Sequence, residues 1–436
     1  MKAQRIASFI IVLGMAFSAQ AENWPQWRGP NLNGSTSESN LPDTLDPQRN
    51  QVWALDLPGH GASTPIVWND RIFITSMDRS TRNLVGICVD RATGKILWQR
   101  EIGIGSQANQ MNNLSSPSAI TDGRRVFFYF GSGDLAAFTL DGEPIWSRNI
   151  QQDHGNFNVQ WLYGSSPLLY KDRLYVQVLH RDVPIGRSRG GASSPAVSYI
   201  LSIDPETGKD IWKHVRPTPA RAESQEAYST PIPYEGPDRT EILIVGGDCA
   251  TGHDPQSGRE LWRFGGWNPQ FIGHWRLVPS VVVAADLFII CTPKVEGQVI
   301  AIRPGGSGDI TQTHRAWSTT QTKSDVPVPL YYQGNLYVLD GDFQKGISCL
   351  DPKTGQRKWF SPLNSRPVFR ASPTGADGKI YCMNEGGEVW VVSAADGKVL
   401  SNTSLGTQGT ARGTIVAAQG HIYVRTGERL HAFAAR

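Results

Sequence analysis

The chain has 436 residues, 42 basic and 39 acidic side chains, and a formal net charge of +3. A balance this close to neutral gives no electrostatic case for nucleic acid or for an anionic membrane surface as a partner. Length alone would suggest two or three domains, an expectation that the internal repeats replace.

The first residues carry Lys2 and Arg5, an apolar run from Ile6 to Phe17, and Ser18-Ala-Gln-Ala21. A basic start, a short apolar stretch and a small-x-small site read as a secretory signal over residues 1–21. The run is too short to span a bilayer. No cysteine follows it, so a lipid anchor is not expected, and no later segment approaches a transmembrane length. The mature chain is therefore expected in the periplasm or the medium, with 40 basic residues against 39 acidic once Lys2 and Arg5 are gone. Residues 22–50 form an N-terminal arm, and residues 51–436 carry the repeats.

One phrase recurs: an apolar run ending in Asp, a turn with Gly, then apolar residues ending in Trp. It appears as Asp90-Arg-Ala-Thr-Gly94-Lys-Ile-Leu-Trp98, and again at Asp204 to Trp212, Asp254 to Trp262 and Asp351 to Trp359. Degenerate copies run from Asp141 to Trp146, from Pro304 to Trp317 and from Asp396 to Leu400. Asp opens such a turn and Gly supplies the positive φ that closes it, so each copy predicts a hairpin. Upstream of each lies a Ser/Thr-Pro or Val-Pro step followed by two apolar strands: Thr64-Pro65, Ser116-Pro117, Ser166-Pro167, Thr230-Pro231, Val278-Pro279, Val326-Pro327 and Ser372-Pro373. Each unit thus predicts four short strands. An eighth start at Thr414-Ile415 ends without its Trp strand, and the missing strand is available at Gln51-Val-Trp53-Ala-Leu55. The expected fold is all-β: an eight-bladed β-propeller closed by the N-terminal strand, with each Trp packed in a seam between blades.

Two further features are local. Asp182 to Pro195, rich in Gly, Ser and Arg, is expected to be an exposed loop, with Arg187 and Arg189 as the first tryptic sites. Cys88, Cys249, Cys291, Cys349 and Cys382 are scattered, and an odd number leaves at least one free thiol.

The AxDxxTGxxxW phrase resembles the repeat of pyrroloquinoline-quinone (PQQ)-dependent alcohol dehydrogenases and of the outer-membrane assembly lipoprotein propeller. Trp24-Pro-Gln-Trp27-Arg-Gly-Pro30, with Gly246 to Asp254 and His274 to Pro279, resembles a group of exported PQQ-like repeat proteins. The resemblance covers residues 22–436 and implies the fold; propellers of one repeat type serve as enzymes, scaffolds and binders.

Chemical motifs are sparse: the sequence has no HExxH, EF-hand loop, GxSxG elbow or P-loop. No metal site is predicted from residue spacing. The stretch before each Pro step leads into the innermost strand, which lines a propeller's axis. Those stretches hold His60; Asn109, Asn112 and Asn113; Asn156, Asn158, Gln160, Trp161 and Tyr163; Glu223, Glu226 and Tyr228; His274, Trp275 and Arg276; Lys323 and Asp325; Arg370; and Arg412. The candidate ligand-binding set is Asn113, Trp161, Tyr163, Glu226, His274, Trp275, Arg276, Lys323, Asp325, Arg370 and Arg412, since convergent polar and aromatic groups form pockets. The alternative is a solvated funnel whose charges pair across the ring. An excess of bases among these residues suits a small anionic or carbohydrate-like ligand. The resemblance implies a second reading, a PQQ/Ca²⁺ alcohol or sugar dehydrogenase with Glu226 and Asp325 as catalytic carboxylates, although the adjacent cysteine pair and the length of those enzymes are absent. A third is an envelope-assembly scaffold whose partner is an envelope protein.

Overall fold

A computed structural model describes residues 22–105, 112–183, 196–293 and 297–435. The expected signal, Asn109, and the loop from Pro184 to Pro195 with its two tryptic sites lie outside the described residues.

Eight antiparallel sheets form the blades of an eight-bladed β-propeller. Blades 1 to 7 span residues 66–104, 120–149, 168–215, 232–264, 282–319, 330–362 and 374–404, and blade 8 joins 416–434 to 51–56. The closing strand Gln51–Asp56 pairs antiparallel with Arg429–Ala434, Trp53 opposite Ala432 and Leu55 opposite Leu430. The expanded copy after Pro304 behaves differently from its regular counterparts: Gly308–Asp309 pairs parallel with Trp262 and Arg263, giving blade 4 a fifth strand. All five cysteines are buried and unpaired.

The seams follow one rule. Most repeat Trp rings lie against the turn glycine of the next blade and donate the indole N–H to a carbonyl there: Trp53 to Arg91 at 2.9 Å, Trp98 to Leu140 at 3.0 Å, Trp146 to Pro205 at 3.0 Å. Trp212 and Trp317 do the same against Gly258 and Gly355, donating to Pro255 O at 3.2 Å and Pro352 O at 3.0 Å, and Trp359 packs on Gly397 by ring contact alone. Trp262 faces the expanded copy, whose turn at residues 311–313 carries no glycine. It stacks on Phe288 instead, with planes 10° apart, and donates to the Glu241 carboxylate.

The Ser/Thr-Pro steps have their own structural task. The Thr64 N–H donates to Ser118 Oγ at 2.9 Å, Ser118 N–H to Ser166 Oγ at 3.0 Å, and Ser166 N–H to Thr230 Oγ1 at 3.1 Å. Thr414 N–H donates to Thr64 Oγ1 at 3.2 Å across the closure. A belt of hydroxyls thus ties blade to blade around the axis, satisfying amides that an innermost strand cannot pair inside its own sheet.

The arm is docked along its length. Trp24 pairs with Val67 of blade 1, and Pro25 O accepts from Thr121 of blade 2. The fully buried Arg28 guanidinium donates to Pro329 O at 2.9 Å and Pro373 O at 3.1 Å in blades 6 and 7.

Candidate binding site at the propeller axis

Every inner strand runs the same way, and alternate residues of an extended strand share a face. In four of the blades the residues three and one before the Pro line the axis together: Gly164 and Ser166, Tyr228 and Thr230, Arg276 and Val278, Arg370 and Ser372. Arg412 and Thr414 continue the pattern in blade 8, with Ala62 from blade 1, Asn112, Ser116 and Ser118 from blade 2 and Val326 and Val328 from blade 6. With Trp161, Glu223 and Trp27 they enclose a cavity of about 350 Å³.

Four of the eleven candidates line it: Trp161, Arg276, Arg370 and Arg412. Glu226 is completely buried behind the wall, its side chain ion-paired with Arg181 and accepting from Tyr228 OH at 2.6 Å and Gln160 N–H at 2.9 Å. Asp325 stands behind Arg276. Tyr163 turns into the core of blades 2 and 3 and bonds Gln177 O; Trp275 is buried, its backbone N–H on Ser224 Oγ at 2.7 Å. Asn113 is spent on a turn, accepting from Ser115 N–H at 3.0 Å. His274 is exposed away from the cavity, and the Lys323 ammonium sits 3.6 Å from the Phe343 ring centre. Membership in a leading stretch was thus too coarse; alternation along the inner strand, and not distance from Pro, separates lining from backing, since Ser118 and Val328 line the cavity from beyond their Pro. That alternation also carries the hydroxyls and valines, which sequence reasoning passed over. Trp27 had no such signal, since it lies outside the repeats.

The electrostatics correct the excess of bases. Arg276 makes a forked pair with Asp325 at 3.0 and 3.3 Å and approaches Glu223 at 3.7 Å; Arg370 meets Asp342 at 2.8 Å and Arg412 meets Glu385 at 2.6 Å. Asp342 and Glu385 come from the loops after the second strands of blades 6 and 7, each reaching the leading stretch of the next blade. Arg181, Arg276, Arg370 and Arg412 are thereby paired with Glu226, with Asp325 and Glu223, with Asp342 and with Glu385, respectively.

Burial raises the Glu226 carboxyl, against the opposing pull of Tyr228, Gln160 and Arg181, and raises Asp342 against Arg370. Burial would lower Arg276, but Asp325 and Glu223 outweigh it and hold the guanidinium charged. The aromatic walls are fixed by the same network: Trp161 Nε1–H donates to Glu223 at 2.8 Å, and Tyr228 OH accepts from the Trp161 backbone N–H at 3.1 Å.

Eight blades of this repeat around a polar axial cavity define a PQQ-like propeller. The chain belongs to the family described as outer membrane protein assembly factor BamB, whose model matches residues 45–178, 161–361 and 246–436. It is similar to the quinoprotein alcohol dehydrogenase PedH of Pseudomonas putida, 22% identical over 229 residues, which are 51% of this chain and 33% of that protein. A 1-butanol dehydrogenase (quinone) of Thauera butanivorans is 24% identical over 127 residues, 28% of this chain and 19% of that protein. The chain thus matches a third or less of the length of these curated relatives. Among solved structures, BamB of Moraxella catarrhalis superposes with a TM-score of 0.60 at 13% identity, covering 88% of this chain and 97% of that one. A europium-containing methanol dehydrogenase gives 0.65 at 11% identity, covering 95% and 98%. At such identities the likeness is one of fold.

The quinone and Ca²⁺ that some relatives imply can be tested against the side chains present. A hard cation needs carboxylate oxygens with lone pairs to spare. Both Glu226 oxygens are engaged, as are both Asp325 oxygens. Among the described residues no group of three or more His, Cys, Asp or Glu is placed to hold a metal ion. Neither carboxylate lines the cavity, and each is ion-paired with an arginine, Glu226 with Arg181 and Asp325 with Arg276, so neither is presented there as a free cation ligand.

Proposed function

We propose that this chain is an exported binding propeller whose axial pocket takes a small, neutral, hydroxyl-rich molecule of the carbohydrate or polyol class. The observation that carries the reading is that the pocket's three arginines arrive already neutralised by Asp325, Asp342 and Glu385. An anion would have to displace a carboxylate already in a charge-assisted pair, so little net attraction is left for it. What the pocket offers instead is aromatic faces at Trp161 and Tyr228, apolar wall at Val278, Val326 and Val328, and hydroxyls at Ser116, Thr230, Ser372 and Thr414. Planar Arg–carboxylate pairs present donors and acceptors side by side, which suits vicinal hydroxyls. The volume is at the lower end of the range for small-molecule pockets, about 300–1,000 Å³. The signal-like start favours export to the periplasm or beyond, and no helix among the described residues is long and apolar enough to cross a membrane.

The test is calorimetric titration with glucose, cellobiose and myo-inositol, with sulfate and citrate, and with PQQ plus Ca²⁺. A neutral ligand should bind with little dependence on salt, and Trp161→Ala should weaken it at least tenfold. Binding confined to the anions and steeply salt-dependent would reject the reading. Quinone absorbance with dye-linked alcohol oxidation would replace it with the dehydrogenase, and capture of an outer-membrane protein with no small ligand would replace it with the scaffold.

A further inference from the structure

We infer that the N-terminal arm is a built-in stopper that makes the axial channel a blind pocket, and that Trp27 is the residue with which the arm touches the ligand. The stopper rests on geometry alone, and the role of Trp27 in recognition rests on the binding reading above.

The direction of the inner strands shows which end is closed. Going down each strand, the residues of the open mouth come first: Arg276, Arg370 and Arg412 with their acid partners. The next tier follows two residues later on those strands, at Ser372 and Thr414, with Val278 level with Arg370 and Arg412. The arm's contacts come later still: Val67 and Thr121 on Trp24 and Pro25, Pro329 and Pro373 on Arg28, and Gly375 on Ser35. The arm therefore lies at the end opposite the arginines.

It also crosses the axis. Trp24 packs with the core of blades 1 and 2, Trp27 with that of blades 5 and 6, and Leu32 with that of blades 3 and 4. Glu38 then accepts from Gln419 and Gly420 N–H of blade 8 at 2.9 and 2.7 Å. A segment that meets opposite blades within so few residues must pass across the centre.

The anchors of this crossing are buried and fitted. A methyl at Gly29 would lie 2.9 Å from the Trp24 ring, and one at Gly34 would lie 2.1 Å from the Arg28 guanidinium. Trp27, between two fully buried anchors, is only half-buried and lines the cavity. Five seam tryptophans give their N–H to carbonyls, whereas the Trp27 indole, which faces the cavity, has no hydrogen-bond partner among the described residues. An aromatic face with an unspent donor, set in a cavity that already holds Trp161 and Tyr228, is a recognition surface for a ring with axial C–H groups and edge hydroxyls.

The experiment uses the full mature chain carrying Ser118→Cys, a cavity residue on the wall away from Trp27, against a background of five buried native thiols. Modification by a small cationic thiosulfonate is timed with and without Trp27→Ala, and cellobiose affinity is measured on the same proteins. Removing the ring should speed modification at least fivefold and weaken cellobiose at least tenfold. Trp27→Phe, which keeps the packing, should be modified at the parent rate yet bind several-fold more weakly, so the reading does not depend on the alanine variant folding. Modification rates within twofold would overturn the stopper. Unchanged affinity in Trp27→Ala would overturn its contact role. A parent protein that binds no saccharide, with modification still accelerated, would sink the binding reading and leave the stopper standing.

Discussion

Replacing Gly208 by alanine adds one methyl group where the seam has no room for it. Gly208 closes the turn of blade 3 with φ of +71°, and the added carbon would lie 2.6 Å from the Trp146 ring. Two costs combine: left-handed backbone at about 1–2 kcal/mol, and overpacking at about 1–3 kcal/mol. Alanine's less flexible unfolded chain returns about 0.4–1 kcal/mol, leaving a net loss of about 1–4.5 kcal/mol. Gly334, in a turn of blade 6, is the matched control: its φ is +73°, and an added carbon meets nothing within 4 Å. There only the backbone term applies, and the net loss should be about 0–1.5 kcal/mol. Urea unfolding followed by tryptophan fluorescence compares the two midpoints at a shared slope. Equal midpoints would refute the seam rule, since the variants differ only in what the methyl meets.

Other expectations follow from the same contacts. Trp53→Ala should cost about 3–5 kcal/mol and promote aggregation, because it loosens the strand that covers the edge of blade 8; unchanged stability and solubility would contradict closure by residues 51–56. Burial lowers His253 to about 3 and His431 to about 4. The folded state then binds fewer protons than the unfolded chain, so stability should be full above about pH 6.5 and fall as pH drops toward 4. The slope is about 1.4 kcal/mol per pH unit for each histidine; a His431→Gln variant with an undiminished slope would reject its share. At Glu226 the carboxyl is raised, so the opposite sign applies: the ionised form costs stability at neutral pH, and acidification through its folded value relieves that cost. Glu226→Ala, which strands Arg181, Tyr228 and the Gln160 N–H, should cost about 3–5 kcal/mol, and Glu226→Gln, which keeps one acceptor oxygen and the packing, should cost less. Equal losses in urea midpoints would show that charge alone matters there.

The propeller was legible because its instructions are local. An Asp, a Gly at positive φ and a Trp within nine residues specify a hairpin, its twist and its seam anchor, and repetition makes the ring count itself. The missing Trp strand after Arg429 and the spare one at Trp53 were enough to place the closure. What the sequence could not assign was the pairing of side chains across blades. Arg370 and Arg412 stood out as unmatched bases because Asp342 and Glu385 lie in loops of the preceding blade, and only ring geometry brings each to its partner. Trp262 looked like any other repeat Trp until the turn of the next copy proved to carry no glycine, so its indole turned to Glu241 and Phe288. Trp27 became part of the cavity because the arm crosses the axis, a path set by the burial of Trp24 and Arg28 at opposite sides of the ring. Local turn chemistry is written in consecutive residues; charge neutralisation and pocket closure depend on through-space distances, which the sequence alone does not contain.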